Sequence, residues 1–277
     1  MPGESENLDP RSSRVLSFRR EAPVDWRNAR ITQGLEYLGG ITILTKDTFK
    51  SAFKYRWEWD LIAYQTDLLG VQSFSIVLIT AVFMGMVLAL QTAYALQSFG
   101  AKLYVGEVVT LSMTRELAPV LISLMVGGRI GAGITAEIGS MKVTEQIDAL
   151  RALGANPVRK LVVPRLVAVV FSLPLLVLLA DALGVFGGYL ISSLSLNISG
   201  RFYLTHVFRL LKFSDILSGL GKTVFFALFI TLIGCFNGMN AKGGADGVGR
   251  ATTFTVVLSS IVILISDFFL TKLFLAL

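Results

Sequence analysis

The sequence AEIGSMKVTEQIDALRALGANPVRKLVVPR, residues 136–165, is the most polar segment between the long apolar runs of this 277-residue chain. It carries five basic and three acidic side chains, which cannot lie in hydrocarbon, so we expect a loop at a membrane surface. Its apolar residues recur at intervals of four and three at Val143, Ile147, Leu150 and Leu153. This spacing predicts a helix of about three turns with one apolar face. Gly154 follows at the C-cap position, and Pro157 disfavours continuation.

This short helix is predicted to lie on the cytoplasmic side of a membrane. One face would pack against the membrane domain, and the other would be offered to a partner. The alternative is a solvated connector that lies on the lipid headgroups, because amphipathic interfacial helices are common. Composition alone leaves both interpretations open.

Five apolar runs are long enough to cross about 30 Å of hydrocarbon, which takes roughly 20 residues. They cover about residues 71–97, 107–135, 166–194, 220–239 and 253–275. With 53% hydrophobic and 16% charged residues, the chain is predicted to be an all-α polytopic membrane protein. Small residues at four-residue spacing inside these runs predict close helix packing, and therefore a compact bundle.

The distribution of Lys and Arg predicts the orientation. Ten precede residue 61, and the segments 98–106, 136–165, 196–215 and 240–252 hold one, five, three and two. With the N-terminus in the cytoplasm, seventeen of these lie inside and four outside. The positive-inside rule therefore predicts a cytoplasmic N-terminus and a C-terminus on the far side.

The chain before the spans divides into two predicted segments. Residues 1–25 lack an apolar core, so we expect no cleavable signal peptide and interpret them as a disordered basic tail. Their charge suits anionic lipid, and without a folded reading element it does not indicate nucleic acid. Residues 26–67 are amphipathic and aromatic-rich, which predicts one or two interfacial helices. Residues 68–277 form the five-span domain.

Charged residues inside the predicted spans are candidate functional residues. Arg115 and Glu116 lie in the outer part of the second span, and Lys222 opens the fourth. A cation in a low-dielectric cavity is costly unless a ligand or a partner compensates it, so Arg115 and Lys222 are predicted to bind an anion. For Arg129, Asp181 and Asp267, structural ion pairs are an equal alternative.

Several sites are not expected. The lone cysteine, Cys235, and the lone histidine, His206, cannot build a disulfide framework, a multi-histidine metal site or a catalytic triad. The segment Gly219–Thr223 ends like a phosphate-binding loop, but Ile216 stands where that pattern needs glycine. We therefore expect no catalytic residue, no metal and no cofactor on this chain.

Short motifs carry a family resemblance across roughly residues 33–277. They include Arg115-Glu-Leu-Ala-Pro119, Gly128-Arg129, Thr135-Ala-Glu-Ile-Gly139, Thr144-Glu-Gln146, Pro164-Arg165, Phe236-Asn-Gly238, Gly249-Arg-Ala-Thr-Thr253 and Asp267-Phe268. This ordered set resembles the MlaE-type family of lipid-transporting ABC permeases, which includes the YrbE subunits of Mce systems. Asp181 and the long N-terminal tail depart from that pattern.

The resemblance implies a non-catalytic permease subunit that moves phospholipids or related lipids. It implies a homodimer in the bacterial inner membrane, with the C-terminus in the periplasm. It also implies a cytoplasmic ABC ATPase dimer that binds the ATP, an MlaD-like ring of MCE-domain proteins and, in many members, a STAS-domain subunit.

The resemblance also implies two groups of site residues. A coupling helix over about residues 137–155 would dock on the ATPase through Glu137, Lys142, Glu145, Asp148 and Arg151. Lipid would contact Arg115, Glu116 and Lys222, with Leu88, Leu90 and Tyr94 of the first span against the acyl chains.

Two functions from other classes compete with this one. An ion-coupled secondary transporter would use Asp181 and Asp267 as proton or cation sites, but such folds usually show an inverted repeat that these five spans lack. A purely structural membrane scaffold is the other alternative, and transport that survived charge reversal along the coupling helix would favour it.

Overall fold

The computed structural model describes residues 26–54 and 57–276, and these are helical without a β-strand. They fall into two units, which divide between residues 39 and 40. In the first unit, the described residues form the beginning of helix α1 (Trp26–Lys54). The prediction of a disordered tail at residues 1–25 lies outside the described residues.

Five helical segments are long and apolar enough to cross a membrane, which confirms the all-α polytopic prediction. They are Trp59–Gln97, Lys102–Val143, Val158–Leu194, Phe213–Met239 and Gly244–Phe274.

The first three spans each contain a π-helical turn. The first comprises α2 (Trp59–Gln65), a π-turn Thr66–Gly70, a 3-10 turn Val71–Ser73 and α3 (Phe74–Gln97). The second comprises a 3-10 turn Lys102–Tyr104, α4 (Val105–Ser112), a π-turn Met113–Leu117 and α5 (Ala118–Val143). The third comprises a π-turn Val158–Val162 and α7 (Val163–Leu194).

The remaining helices are α6 (Gln146–Ala152), α8 (Gly200–Leu210), α9 (Phe213–Met239) and α10 (Gly244–Ala276). In the bundle, α3 packs mainly against α7, and α5 packs against both α9 and α10. Small residues allow the closest approach, because a Cβ on Gly85 of α3 would overlap the carbonyl oxygen of Gly184 in α7.

One predicted helix boundary differs from the structure, and the prolines inside two spans have different surroundings. The helical run of the first span begins at Trp59, so residue 67 does not end a separate interfacial helix. In the third span, α7 runs through Pro174 as one helix, whereas the second span contains a π-turn just before Pro119.

The helix predicted over Val143–Leu153 is shorter than expected. Helix α5 continues to Val143, and Glu145 then adopts a left-handed conformation (φ 61°) before α6 begins. Gly154 is the expected C-cap, with φ 75° and with Gly154 N–H and Ala155 N–H bonded to the carbonyls of Arg151 and Leu150 at 2.9 and 3.0 Å. This is a Schellman motif, which ends α6 after two turns.

Helix α8 lies in the segment between the third and fourth spans. Tyr203 is buried in it, and its hydroxyl donates to the carbonyl of Val185 at 3.2 Å. This burial raises the pKa of Tyr203. His206 Nδ1 lies 2.6 Å from Glu107 Oε1, so the lone histidine ties α8 to α4.

Candidate functional site

Lys222 of α9 is the centre of a polar cluster between three spans. Its side chain is 2% exposed, and its Nζ lies 2.7 Å from Glu116 Oε2 and 3.1 Å from Asp267 Oδ1. The same ammonium donates to Thr271 Oγ1 at 2.7 Å and to the carbonyl of Arg115 at 3.0 Å. Because these partners lie on the second and fifth spans, the cluster joins three spans through one cation.

Pro119 explains why the carbonyl of Arg115 is available. Proline has no N–H to donate to the carbonyl four residues earlier, which here belongs to Arg115. The chain widens into a π-turn just before this proline, and the Lys222 ammonium satisfies the carbonyl. A break in a membrane helix requires such a substitute donor.

Arg115 pairs with an acidic residue that the sequence analysis did not select. Its Nη2 and Nε donate to Asp215 Oδ1 at 2.7 and 3.0 Å. Asp215 is buried in the first turn of α9, where its Oδ2 accepts from the Lys212 N–H at 3.0 Å. The Arg115 side chain remains 44% exposed.

These contacts correct the reason given for anion binding. Arg115 and Lys222 were predicted to need an anionic ligand because they lack a partner, and that premise is wrong. Each has a carboxylate within 3 Å. Two members of the cluster were not predicted from the sequence. Asp215 lies five residues before the predicted start of the fourth span, and Thr271 lies one helical turn after Asp267.

Two cavities adjoin the cluster. The smaller, of about 140 Å³, is lined by Arg115, Glu116, Ser214, Asp215, Ser218, Lys222, Thr271 and Phe274. The larger, of about 600 Å³, shares Glu116 and Thr271 and adds Leu264, Asp267, Phe268, Lys272 and Ala276. A polar cavity therefore opens beside one with apolar walls on α10, and Glu116 borders both.

The first-span residues predicted to contact acyl chains do not line these cavities. Tyr94 and Leu90 are 84% and 45% exposed and share a face of α3. Leu88 lies on another side, half-buried against the hydrophobic core. The structure thus brings Arg115, Glu116 and Lys222 together, but not these three residues with them.

The predicted coupling residues occupy three different elements. Glu137 lies within α5 and pairs with the buried Arg165 of α7 at 2.6 Å. Lys142 lies in the last turn of α5, and its Nζ lies 2.7 Å from Asp148 Oδ2 in α6. Arg151 Nη1 lies 3.0 Å from Asp148 Oδ1, and Glu145 is the exposed left-handed residue between the helices. The predicted helix over residues 137–155 is therefore wrong in extent, because α5 continues to Val143 and the left-handed Glu145 separates it from α6.

The apolar face of α6 is also narrower than predicted. Ile147 is buried and Leu150 is half-buried against the core, as expected. Val143 and Leu153 are 39% and 83% exposed, so their predicted packing is wrong. The left-handed Glu145 breaks the helical register before α6, and Leu153 lies beyond its last turn.

Replacing Lys142 with alanine is expected to raise the pKa of Asp148. The hydrogen bond from Lys142 holds that pKa below its ordinary value of 3.8, with help from Arg151. Because the folded-state pKa is lowered, this contact stabilises the fold above the ordinary value and is lost as the pH falls through the lowered one. Carboxyl-carbon NMR titration measures the change, and an unaltered Asp148 midpoint in Lys142→Ala would contradict the assignment.

Comparison with known proteins agrees with this architecture. The family model described as "Permease MlaE" matches residues 62–273. A probable ABC transporter permease protein of Rickettsia bellii is 43% identical over 248 residues, covering 90% of this chain and 95% of that protein.

Two further relatives have more specific names. The intermembrane phospholipid transport system permease protein MlaE of Haemophilus influenzae is 42% identical over 217 residues, covering 78% of this chain and 83% of that protein. The chloroplastic protein TRIGALACTOSYLDIACYLGLYCEROL 1 of Arabidopsis thaliana is 33% identical over 270 residues, covering 98% of this chain and 75% of that protein. With five membrane-spanning helices and a family match over most of its length, this chain belongs to the MlaE permease family.

Proposed function

We propose that this chain is the permease subunit of an ABC transporter that moves phospholipids between membranes. The observation that carries the proposal is the Lys222 cluster, which lies on an MlaE-family bundle beside a cavity of about 600 Å³ with partly apolar walls. A phospholipid needs both surroundings, polar groups for its headgroup and apolar walls for its acyl chains. The relative from Haemophilus influenzae, named as a phospholipid transport permease, supports the same substrate class.

The charges of the cluster suit a headgroup that carries both signs. The accessible groups are Arg115 and Glu116, whose side chains are 44% and 41% exposed. Arg115 would donate to the phosphate, and Glu116 would accept from an ammonium such as that of an ethanolamine headgroup. Lys222 is buried, so it would hold Glu116 in position instead of contacting the lipid.

Energy would enter through α6, the short cytoplasmic helix of this proposal. A separate ABC ATPase dimer would bind the ATP and contact α6, which exposes Asp148 and Arg151, together with Leu153 just after its end. Ile147 is buried in the bundle, so movement of α6 would reach the spans directly. Two copies of the permease would enclose the lipid, with an MlaD-like MCE ring on the far side and a STAS-domain subunit beside the ATPase.

The multi-pass chain would lie in a bacterial inner membrane, with its N-terminus in the cytoplasm and its C-terminus in the periplasm. The positive-inside count supports this orientation. In this role the chain itself needs no cofactor or catalytic residue.

The test is lipid transport by the complex purified with its ATPase and reconstituted in liposomes that contain fluorescent phosphatidylethanolamine. We expect ATP-dependent movement of the lipid by the wild type. Arg115→Gln is expected to lower the rate about tenfold, because a charged hydrogen bond to the phosphate is lost. The absence of ATP-dependent movement in the wild type would contradict the proposed function.

Arg201→Gln is the matched control. It removes the same charge from an exposed position of α8, away from the cluster. Its rate is expected to stay within about twofold of the wild type, as for most surface changes. Equal rates for Arg115→Gln and the wild type would contradict the site and leave the function standing.

A further inference from the structure

Arg129 is a further cation inside the bundle, away from the Lys222 cluster. It lies in α5, fourteen residues after Arg115. At roughly 1.5 Å per residue, the two positions are about 21 Å apart along the helix axis. The hydrocarbon layer is about 30 Å thick, so the two arginines fall in opposite leaflets when both lie within it.

Arg129 opens into its own cavity, of about 380 Å³, between the start of the first span and α5. The polar lining comprises Tyr64, Gln72 and Glu137, and the apolar lining includes Leu68 and Ile130. The cavity thus combines one guanidinium with apolar walls at the depth of a leaflet. It shares no lining residue with the cavities around Lys222.

The guanidinium of Arg129 is oriented by neutral groups. Its Nη1 donates to Ser73 Oγ at 2.5 Å, and its Nη2 donates to Gln72 Oε1 at 3.2 Å. Across the described ranges 26–54 and 57–276, no carboxylate lies within ion-pair distance of it, in contrast to Arg115, Lys222 and Arg165. A guanidinium has five N–H donors, so further donors remain for a ligand.

Glu137 lines the same cavity but does not neutralise Arg129. Its carboxylate forms an ion pair with Arg165 instead, with 2.6 Å between Arg165 Nη2 and Glu137 Oε1. The Arg165 side chain is 3% exposed. The argument from an uncompensated cation, which fails at Arg115 and Lys222, therefore holds at Arg129. A cation at this depth is costly unless a ligand supplies the missing charge.

We propose that this cavity binds the phosphate of a phospholipid from the leaflet opposite the Lys222 cluster. Arg129 contacts the phosphate, Ser73 and Gln72 hold the guanidinium in place, and Leu68 and Ile130 contact the first methylenes of the acyl chains. The inference rests on the proposed function and deepens it, because it gives the transported lipid a second headgroup site.

The test is photo-crosslinking from within the cavity. p-Benzoylphenylalanine replaces Leu68 in the full chain, which is held in nanodiscs of phosphatidylethanolamine and phosphatidylglycerol, and adducts are identified by intact mass. We expect a phospholipid adduct that falls about tenfold in Arg129→Gln, because charge-assisted bonds to the phosphate are lost. Arg201→Gln is the control and is expected to keep the adduct. An adduct that persists unchanged in Arg129→Gln would overturn the proposal.

Two further arms distinguish the alternatives without a risk to folding. In the first arm, the chain keeps Arg129 and carries the crosslinker in place of Leu68, in nanodiscs with equal amounts of phosphatidylglycerol and diacylglycerol. The phospholipid adduct is expected to exceed the diacylglycerol adduct about tenfold. Equal yields of the two adducts would mean that the cavity does not recognise the phosphate, and would overturn the proposal. Loss of the lipid adduct on addition of inorganic phosphate would assign the cavity to free phosphate and would also overturn it.

This result is separable from the transport assay. A phospholipid adduct at Leu68 that depends on Arg129, in a complex that moves no lipid with ATP, would contradict the proposed function alone. Transport that persists with no such adduct would contradict the second headgroup site alone.

Discussion

Gly85→Ala is expected to destabilise the bundle by about 3 kcal/mol, because overpacking of a tight contact costs this much when the backbone must move. The added methyl group would overlap the backbone carbonyl of Gly184. That carbonyl belongs to α7, so α3 and α7 must separate along their main packing surface. Thermal unfolding in mild detergent, followed by fluorescence-detected size exclusion, measures the loss.

Two other glycines serve as controls for this change. The nearest atom to a Cβ on Gly184 would belong to the flexible Met113 side chain, which can move. Gly184→Ala is therefore expected to lower the free energy of unfolding less than Gly85→Ala. A Cβ on Gly249 of α10 meets open space, and alanine there is expected to stabilise the helix by about 0.5–1 kcal/mol. Equal unfolding temperatures for Gly85→Ala and Gly249→Ala would show that α3 and α7 are not in this contact.

Lys222→Met is expected to destabilise the chain by about 3 kcal/mol and to abolish lipid transport. The change removes the cation that pairs with both Glu116 and Asp267, together with the donor for the Arg115 carbonyl. Breaking a buried pair costs about 3–5 kcal/mol, and the lower end applies because Glu116 is 41% exposed. Unfolding temperature and transport rate are both measured.

A double-mutant cycle separates the lost ion pair from lost packing. Adding Glu116→Gln to Lys222→Met removes one stranded carboxylate, so the double variant is expected to recover part of the stability. Lys242→Ala, an exposed lysine between α9 and α10, is expected to match the wild type within about 0.5 kcal/mol. If the changes in the free energy of unfolding caused by Lys222→Met and Glu116→Gln simply add in the double variant, direct coupling between the two side chains is contradicted.

The number and order of the spans were predictable from the sequence, because each apolar run must by itself be long enough to cross the bilayer. The C-cap at Gly154 was also predictable, since a left-handed position favours glycine over residues with a Cβ. The left-handed Glu145 was not, because a charged residue in that conformation has no local signal. It shortens α6 and leaves Leu153 exposed.

The residues of the polar cluster around Lys222 were only partly predictable from the sequence, and their pairing was not. Arg115, Glu116 and Lys222 stand out because charge is rare inside spans. Their partners Asp215 and Asp267 are 100 and 45 positions away in the sequence, and only the packing of the helices brings them close. For the same reason, the sequence could not show that Arg129 lacks an ion-pair partner among the described residues. That depends on the pairing of Glu137 with Arg165.

The proposed function is tested most directly by affinity purification of the tagged full chain from its native membrane in mild detergent, with proteins and lipids identified by mass spectrometry. We expect an ABC ATPase and an MCE-domain protein to elute with the chain, together with phospholipid. A stable oligomer of the chain alone, with no nucleotide-binding partner and no phospholipid, would contradict the account.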